Sequence, residues 1–277
     1  MQTLSKAGPS LAQWMRLDGR VAVVTGAGAG IGRAIAEALA AQGARVALMD
    51  RDEKRAIDAA AHIVAGGGSA FAYACDIADE SGVGDVVASI ARERGIDMVV
   101  NSAGITSPPG MPFTNNSGAD WDRAFAVNVK GAFFVCKAAA EALSNSVHGR
   151  VVNIASITGV ISAAYMPPYS VSKAALISLT KVLARDLASK AITVNAVCPG
   201  FVWTPLWESL GAEMAQASAG AQGRDAQEVF DARIRQHVPM GRPQSAEEVA
   251  ALTAFLCSDA AANITGQIIG VDGGVTI

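Results

Sequence analysis

Val21-Ala-Val-Val-Thr25-Gly26-Ala-Gly28-Ala-Gly30-Ile31-Gly32 is the stretch that decides the fold. Its first five residues have strand character, because β-branched and small apolar side chains fill both faces of a buried parallel strand. The glycines that follow permit a tight turn and a close approach to the main chain. Ile31, Ile35 and Leu39 then recur on one face of a helix that reaches Gln42. A helix that starts on a glycine turn offers free N–H groups and the positive end of its dipole, which together suit a pyrophosphate.

Working outward, the same alternation continues. Strands are expected at Arg45–Met49, Ala70–Cys75, Asp97–Asn101, Arg150–Ala155, Ile192–Val197 and Gly266–Val271. Helices are expected at Asp52–Val64, Glu80–Arg94, Trp121–Leu143, from Tyr169 onward and at Ala246–Leu256. The Tyr169 helix carries Leu176, Leu179, Leu183 and Leu187 as its apolar stripe. Strands joined by helices of this length imply right-handed βαβ units, so the fold class is α/β: a doubly wound parallel sheet of about seven strands with helices on both faces. The chain is expected to form one domain over residues 17–277, with 1–16 a loosely held extension and no repeat. Two stretches break the pattern, Ser102–Asp120 and the small-residue run Gly211–Asp225. Both follow strand C-terminal ends, where such sheets bind ligands, and the second reads as either a lid or a surface loop.

Composition narrows the partners. Net charge is −3 with no basic run longer than a pair, which argues against nucleic acid. No apolar run approaches a membrane span, and the first residues do not read as a signal peptide. Cys75, Cys136, Cys198 and Cys257 are scattered without CxxC spacing, so free buried thiols in a reducing cytoplasm are expected. His62, His148 and His237 are isolated, and no metal site is expected.

Asp50 ends the second strand, where a carboxylate accepts hydrogen bonds from adenosine ribose hydroxyls. A 2′-phosphate there would meet like charge, at roughly 4 kcal/mol for unit charges 4 Å apart and an effective dielectric of 20. NAD is therefore favoured over NADP, although Arg51 is adjacent. The alternative role for Asp50 is to cap the next helix. The reactive groups come later, in Asn153-Ile-Ala-Ser156 and Tyr169-Ser-Val-Ser-Lys173. Tyr169 and Lys173 share a helix face, and a cation that close should lower the phenol's pKa, ordinarily about 10, by roughly two or three. With Ser156 to hydrogen-bond an oxygen, the set suits acid–base chemistry between an alcohol and a carbonyl.

In this order, the glycine loop, Ser156, Tyr169 and Lys173 resemble the short-chain dehydrogenase/reductase family over Leu17–Val275. The TGxxxGIG loop is Thr25, Gly26, Gly30, Ile31 and Gly32 with Gly28 between, and Asp76-Ile77 matches the adenine-contacting turn. Asn101-Ser102-Ala103-Gly104 matches the family's Asn-Asn-Ala-Gly with one small departure, at Ser102. Asn128 matches the active-site Asn, whose local helix distortion is implied to hold a water leading to the lysine. Pro199-Gly200, with Val202 and Thr204, matches the turn implied to hold the nicotinamide carboxamide.

The resemblance implies a Rossmann-like fold and a metal-free, NAD(P)-dependent oxidoreductase of CH–OH groups. In it Tyr169 is acid or base, Lys173 tunes it and contacts the nicotinamide ribose, Ser156 orients the substrate and Asn128 anchors the relay. It also implies a homotetramer formed through the two long helices and the C-terminal elements. Substrate choice falls to Ile157–Pro168, Ser102–Trp121 and a loop or lid at residues 203–236. Tyr165, Met166, Phe113, Trp203 and Trp207 are candidate pocket residues, the two tryptophans equally candidates for packing. The segment Pro199–Leu206 and its insertion look like members acting on polyols, sugars or diols. A 3-oxoacyl-thioester reductase and a catalytically silent dinucleotide sensor are the alternatives.

Overall fold

The protein is described by a computed structural model covering residues 8–109, 113–217 and 224–277. The strands are β1 Val21–Thr25, β2 Arg45–Asp50, β3 Ser69–Ala74, β4 Met98–Asn101, β5 Arg150–Ile154, β6 Thr193–Pro199 and β7 Ile268–Val271. They form one sheet in the order β3-β2-β1-β4-β5-β6-β7, and every neighbouring pair is parallel. In β1, β4, β5 and β6 every residue is buried, which is why these segments read as continuous rather than alternating apolar runs.

The helices are α1 Leu11–Trp14, α2 Gly30–Ala41, α3 Glu53–Ala65, α4 Glu80–Arg94, α5 Gly118–Phe125, α6 Ala132–Asn145, α7 Thr158–Ile161, α8 Pro167–Leu187, α9 Pro205–Ala217, α10 Ala226–His237 and α11 Ala246–Cys257. One core lies between the sheet and α2, α3 and α11, with Ile35, Leu39, Ile63 and Val249 at its centre. The other lies beneath α4, α6 and α8, around Val87, Ile90, Val135, Leu143 and Leu187. Connections from β1 run to one side of the sheet through β2 and β3, then return to β4 on the other side. That reversal opens a crevice at the carboxyl ends of β1 and β4. The register keeps those ends level, with Thr25 opposite Asn101 and Asn101 opposite Asn153.

The expected helix over 121–143 begins earlier and is not uniform. Ser117 and Asp120 form a capping box that starts α5 at Gly118, and a π-helical turn over Ala126–Gly131 separates α5 from α6. A side chain at Gly131 would come within 2.6 Å of Ile77, so glycine lets the widened turn press against the loop after β3.

The insertion after β6 differs from the expected small-residue loop. It folds as α9 and α10, the latter started by a capping box of Asp225 and Glu228. Trp207, Leu210 and Met214 recur at helical spacing in α9 and turn toward the protein, a stripe that neighbouring Ala, Gly and Ser residues masked. Residues 218–223 of the expected lid and 1–7 of the expected extension lie outside the described residues. Of the remaining extension, residues 11–14 form α1, and Met15 accepts a hydrogen bond from Ser258 Oγ through its sulfur.

Leu39 has no exposed surface. Leu39→Ala should lower the free energy of unfolding by about 2–5 kcal/mol in urea denaturation.

Candidate active site

At the crevice lies a cleft of about 880 Å³, lined from the glycine turn at one end to Ser156, Tyr169 and Lys173 at the other. Its first wall is the start of α2. The N-cap residue Ala29 makes no side-chain cap, so the first-turn N–H groups of α2 have no capping partner where Gly30 and Ile31 line the cleft. A side chain at Gly32 would lie 2.2 Å from the carbonyl oxygen of Gly26, so only glycine allows this turn to close. The Asp50 carboxylate stands beside it, accepting from Gly28 N at 2.9 Å and from Asp52 N at 3.0 Å. Helix α3 is capped by Asp52, whose side chain accepts from Arg55 N, and not by Asp50. Asp50 thereby stays on the cleft wall beside Arg51 and Arg55.

Asp76 and Ile77 follow, with Asp76 accepting from Ala78 N at 2.9 Å in a local turn while still lining the cleft. Ala103, Gly104, Pro199, Gly200, Val202 and Thr204 also line it. Among the expected cofactor residues, Thr25, Gly28 and Asn101 do not. Thr25 is fully buried, and its hydroxyl accepts from Ser102 N and Ala103 N, each at 3.1 Å, so it holds the β4 loop in place. Asn101 Nδ2 donates to Asn153 Oδ1 at 2.8 Å, and Asn153 in turn donates to Thr180 Oγ1 at 2.9 Å. This polar chain joins β4, β5 and α8 inside the core. An uncapped helix start, a cradle of glycine main chain and an acid at the end of β2 fit a dinucleotide.

Ser156 follows β5 directly. Main-chain bonds from Ala155 N to Val197 O and from Ile157 N to Pro199 O extend the ladder past it and fix its place. Its oxygen accepts from Thr158 N at 3.2 Å and from Thr158 Oγ1 at 3.1 Å, leaving its own proton to donate. Thr158 is thus a supporting residue that the sequence reading missed. Tyr169 and Lys173 lie one turn apart on α8, with Lys173 Nζ 5.8 Å from the Tyr169 ring centroid. The ammonium donates to Ile154 O at 2.9 Å, which bolts α8 to the end of β5.

Asn128, in the π turn, does not line the cleft. Its Oδ1 accepts from Ile105 N at 2.9 Å, and its Nδ2 donates to Ile105 O at 3.0 Å and to Ser172 Oγ at 2.9 Å. Ser172 Oγ donates in turn to Tyr169 O at 2.7 Å. Asn128 therefore sets the position of the Tyr169 turn through its side chain.

The expected depression of the Tyr169 pKa is not produced by the chain alone. Burial raises it to about 12, opposed by a hydrogen bond from Ser156, and neighbouring Tyr165 and Cys198 push it further up. Burial lowers Lys173 to about 8. Desolvation dominates at both groups, and the ammonium donates to Ile154 O. At neutral pH the pair is a phenol beside an ammonium.

Of the expected pocket residues, Tyr165, Met166 and Trp207 line the cleft, while Phe113 and Trp203 do not. Phe113 is 76% exposed, and Trp203 packs edge-on against Phe230 with centroids 5.1 Å apart. The four cysteines are free and buried. No helix among the described residues is long and apolar enough to cross a membrane.

A family model described as Enoyl-(Acyl carrier protein) reductase matches residues 26–276. The chain belongs to the short-chain dehydrogenase/reductase family. It is an oxidoreductase acting on CH–OH groups with a nicotinamide dinucleotide. The D-threitol dehydrogenase of Mycolicibacterium smegmatis is 37% identical over 263 residues, 95% of this chain and 95% of that protein. A 3-oxoacyl-(acyl-carrier-protein) reductase of Synechocystis is also 37% identical, over 94% of this chain and 98% of its own. The structure of L-sorbose reductase from Gluconobacter frateurii with NADPH and L-sorbose superposes with a TM-score of 0.87 at 32% identity, covering 95% of this chain and 98% of that one.

Two outcomes test the site geometry. A side chain at Gly159 would lie 2.8 Å from the Lys173 carbonyl carbon, so Gly159→Ala should force α7 off α8, cost about 1–3 kcal/mol of stability and cut turnover with it. Lys173 binds its proton less tightly folded than unfolded, so stability is gained as pH rises from about 8 toward 10.5. Compared with Lys173→Met by urea unfolding at pH 7 and 10.5, wild type should gain up to about 3 kcal/mol across that range.

Proposed function

We propose that this chain is an NAD-linked dehydrogenase of polyols, sugars or vicinal diols, interconverting a secondary alcohol and its ketone. The observation that carries the reading is the reacting end of the cleft. Ser156 hydrogen-bonds to Tyr169 there, and the hydroxyl-bearing residues Thr158, Tyr165 and Ser209 also line the cleft. A cleft lined with hydroxyls suits a substrate with several hydroxyls.

Bound dinucleotide supplies the hydride acceptor or donor at its nicotinamide. The residues that would hold it are the main chain at Gly30 and Ile31, Asp50 for the ribose, Asp76 and Ile77 for adenine, Ala103 and Gly104 beside it, and Pro199, Gly200, Val202 and Thr204 for the carboxamide. Lys173 would reach the nicotinamide ribose. Asp50 favours NAD, since a 2′-phosphate would stand against a carboxylate already committed to Gly28 N.

Tyr169 transfers the proton to or from the substrate oxygen, Ser156 donates a hydrogen bond to that oxygen, and the Lys173 ammonium opposes the effect of burial on the phenol. Asn128 serves as a positioning residue for Tyr169, and a relay through its main-chain carbonyl is part of this reading. A homotetramer in the cytoplasm is also part of it, supported by exposed Phe133 on α6 and Val171 and Val182 on α8.

The second reading, reduction of a 3-oxoacyl thioester, is supported by the Synechocystis relative. Initial rates with NAD and NADP on threitol, xylitol, butane-2,3-diol and an acetoacetyl thioester separate the two. The proposal expects NAD-dependent polyol or diol oxidation to dominate; thioester reduction with NADPH as the dominant activity would reject it. Tyr169→Phe should lose about 10²-fold or more in kcat yet keep the rise in melting temperature that NAD produces, and unimpaired turnover would remove Tyr169 from the mechanism.

A further inference from the structure

Tyr165 lies four residues before Tyr169, just ahead of α8, and both line the reacting end of the cleft. Their phenols are near enough that charge on Tyr165 opposes charge on Tyr169. The Tyr165 ring is packed against Met166, Leu210, Met214 and Val229, so α9 and α10 close around it. Arg233 of α10 lies over that ring, its guanidinium carbon 4.8 Å from the centroid. Arg233 has no carboxylate partner among the described residues, and its other contact is His237 Nε2, 3.5 Å from Nη1.

The Tyr165 hydroxyl, by contrast, makes no hydrogen bond to any described residue. Burial raises its pKa, with Arg233 opposing, so it stays a protonated donor at neutral pH. A ring held by an apolar cluster and a guanidinium, lining the cleft with a hydroxyl that has no partner among the described residues, is arranged to read a substrate oxygen. Ser156 and Tyr169 already serve the reacting oxygen, so the oxygen left for Tyr165 is a neighbouring one.

We propose that Tyr165 is a specificity-determining residue, its hydroxyl bonding a second substrate oxygen on the carbon beside the reacting carbinol, with Arg233 holding the ring in place. The assignment rests on the polyol and diol reading of this site and adds the residue that distinguishes a diol from a simple alcohol. A monohydric alcohol has no oxygen at that carbon and forgoes the bond, so the phenol favours the diol by what that bond contributes.

The matched probes are butane-2,3-diol and butan-2-ol, which differ at the neighbouring oxygen, assayed with NAD on the full chain. Tyr165→Phe removes only the hydroxyl. It should lower kcat/KM for the diol roughly tenfold while leaving butan-2-ol within about twofold of wild type. Arg233→Met should raise KM for the diol and leave kcat within about twofold, because it loosens the ring without touching the reacting groups. Equal losses on both alcohols in Tyr165→Phe, or no loss on the diol, would overturn the assignment while leaving the proposed function standing. A wild-type protein inactive on butane-2,3-diol, threitol and xylitol but active on the acetoacetyl thioester would overturn the proposed function, and this assignment with it.

Discussion

A buried ammonium donating to the last carbonyl of a strand is the contact on which the site depends. Lys173 Nζ reaches Ile154 O at 2.9 Å, joining α8 to β5 where the sheet ends. Placing a charge there costs enough to bring its pKa to about 8, and the bond to Ile154 and the approach of α7 across Gly159 keep it in position. Tyr169 is carried on the same helix, so it inherits that placement. Ser156 follows Ile154 by two residues and inherits it from the other side.

The cofactor half of the cleft is fixed by a different device. Thr25, Asn101, Asn153 and Thr180 are buried polar residues whose hydrogen bonds join β1, β4, β5 and α8 below the cleft floor. Hydrogen bonds between polar side chains inside a core specify register, because a shift by one residue would strand each partner. Register in turn holds the loops after β1, β4, β5 and β6 at one height. The glycine turn and the Ser156–Tyr169–Lys173 group therefore face the same crevice, though they are more than a hundred residues apart in sequence.

Most of the fold was legible because a doubly wound sheet announces itself in alternating apolar runs. Boundaries shifted by one to three residues at β4, β6 and α5, where caps and ladder ends are set by partners outside the segment. The small-residue insertion was harder. Trp207, Leu210 and Met214 form a helical stripe, but the Ala and Gly around them carry little periodic contrast. Within the site, Ser156, Tyr169 and Lys173 could be recognised from spacing and order. Thr158 could not, since a threonine after a strand has many uses and only its two bonds to Ser156 distinguish it.

The sequence by itself determined the sheet, the glycine cradle, the acid at Asp50 and the identity of the reacting side chains. These are properties of residue type at fixed spacing, which local geometry converts directly into structure. Only the tertiary structure decided how each group is charged and what it faces. Tyr169 is raised rather than lowered because burial outweighs the hydrogen bond from Ser156, and Tyr165 and Cys198 add to the rise. Asn101 turns into the core, Asp52 takes the capping role and frees Asp50 for the cleft, and Arg233 from a separate helix fixes Tyr165. Solvent exclusion and contacts between distant segments set these outcomes, and neither is encoded in the spacing of a motif.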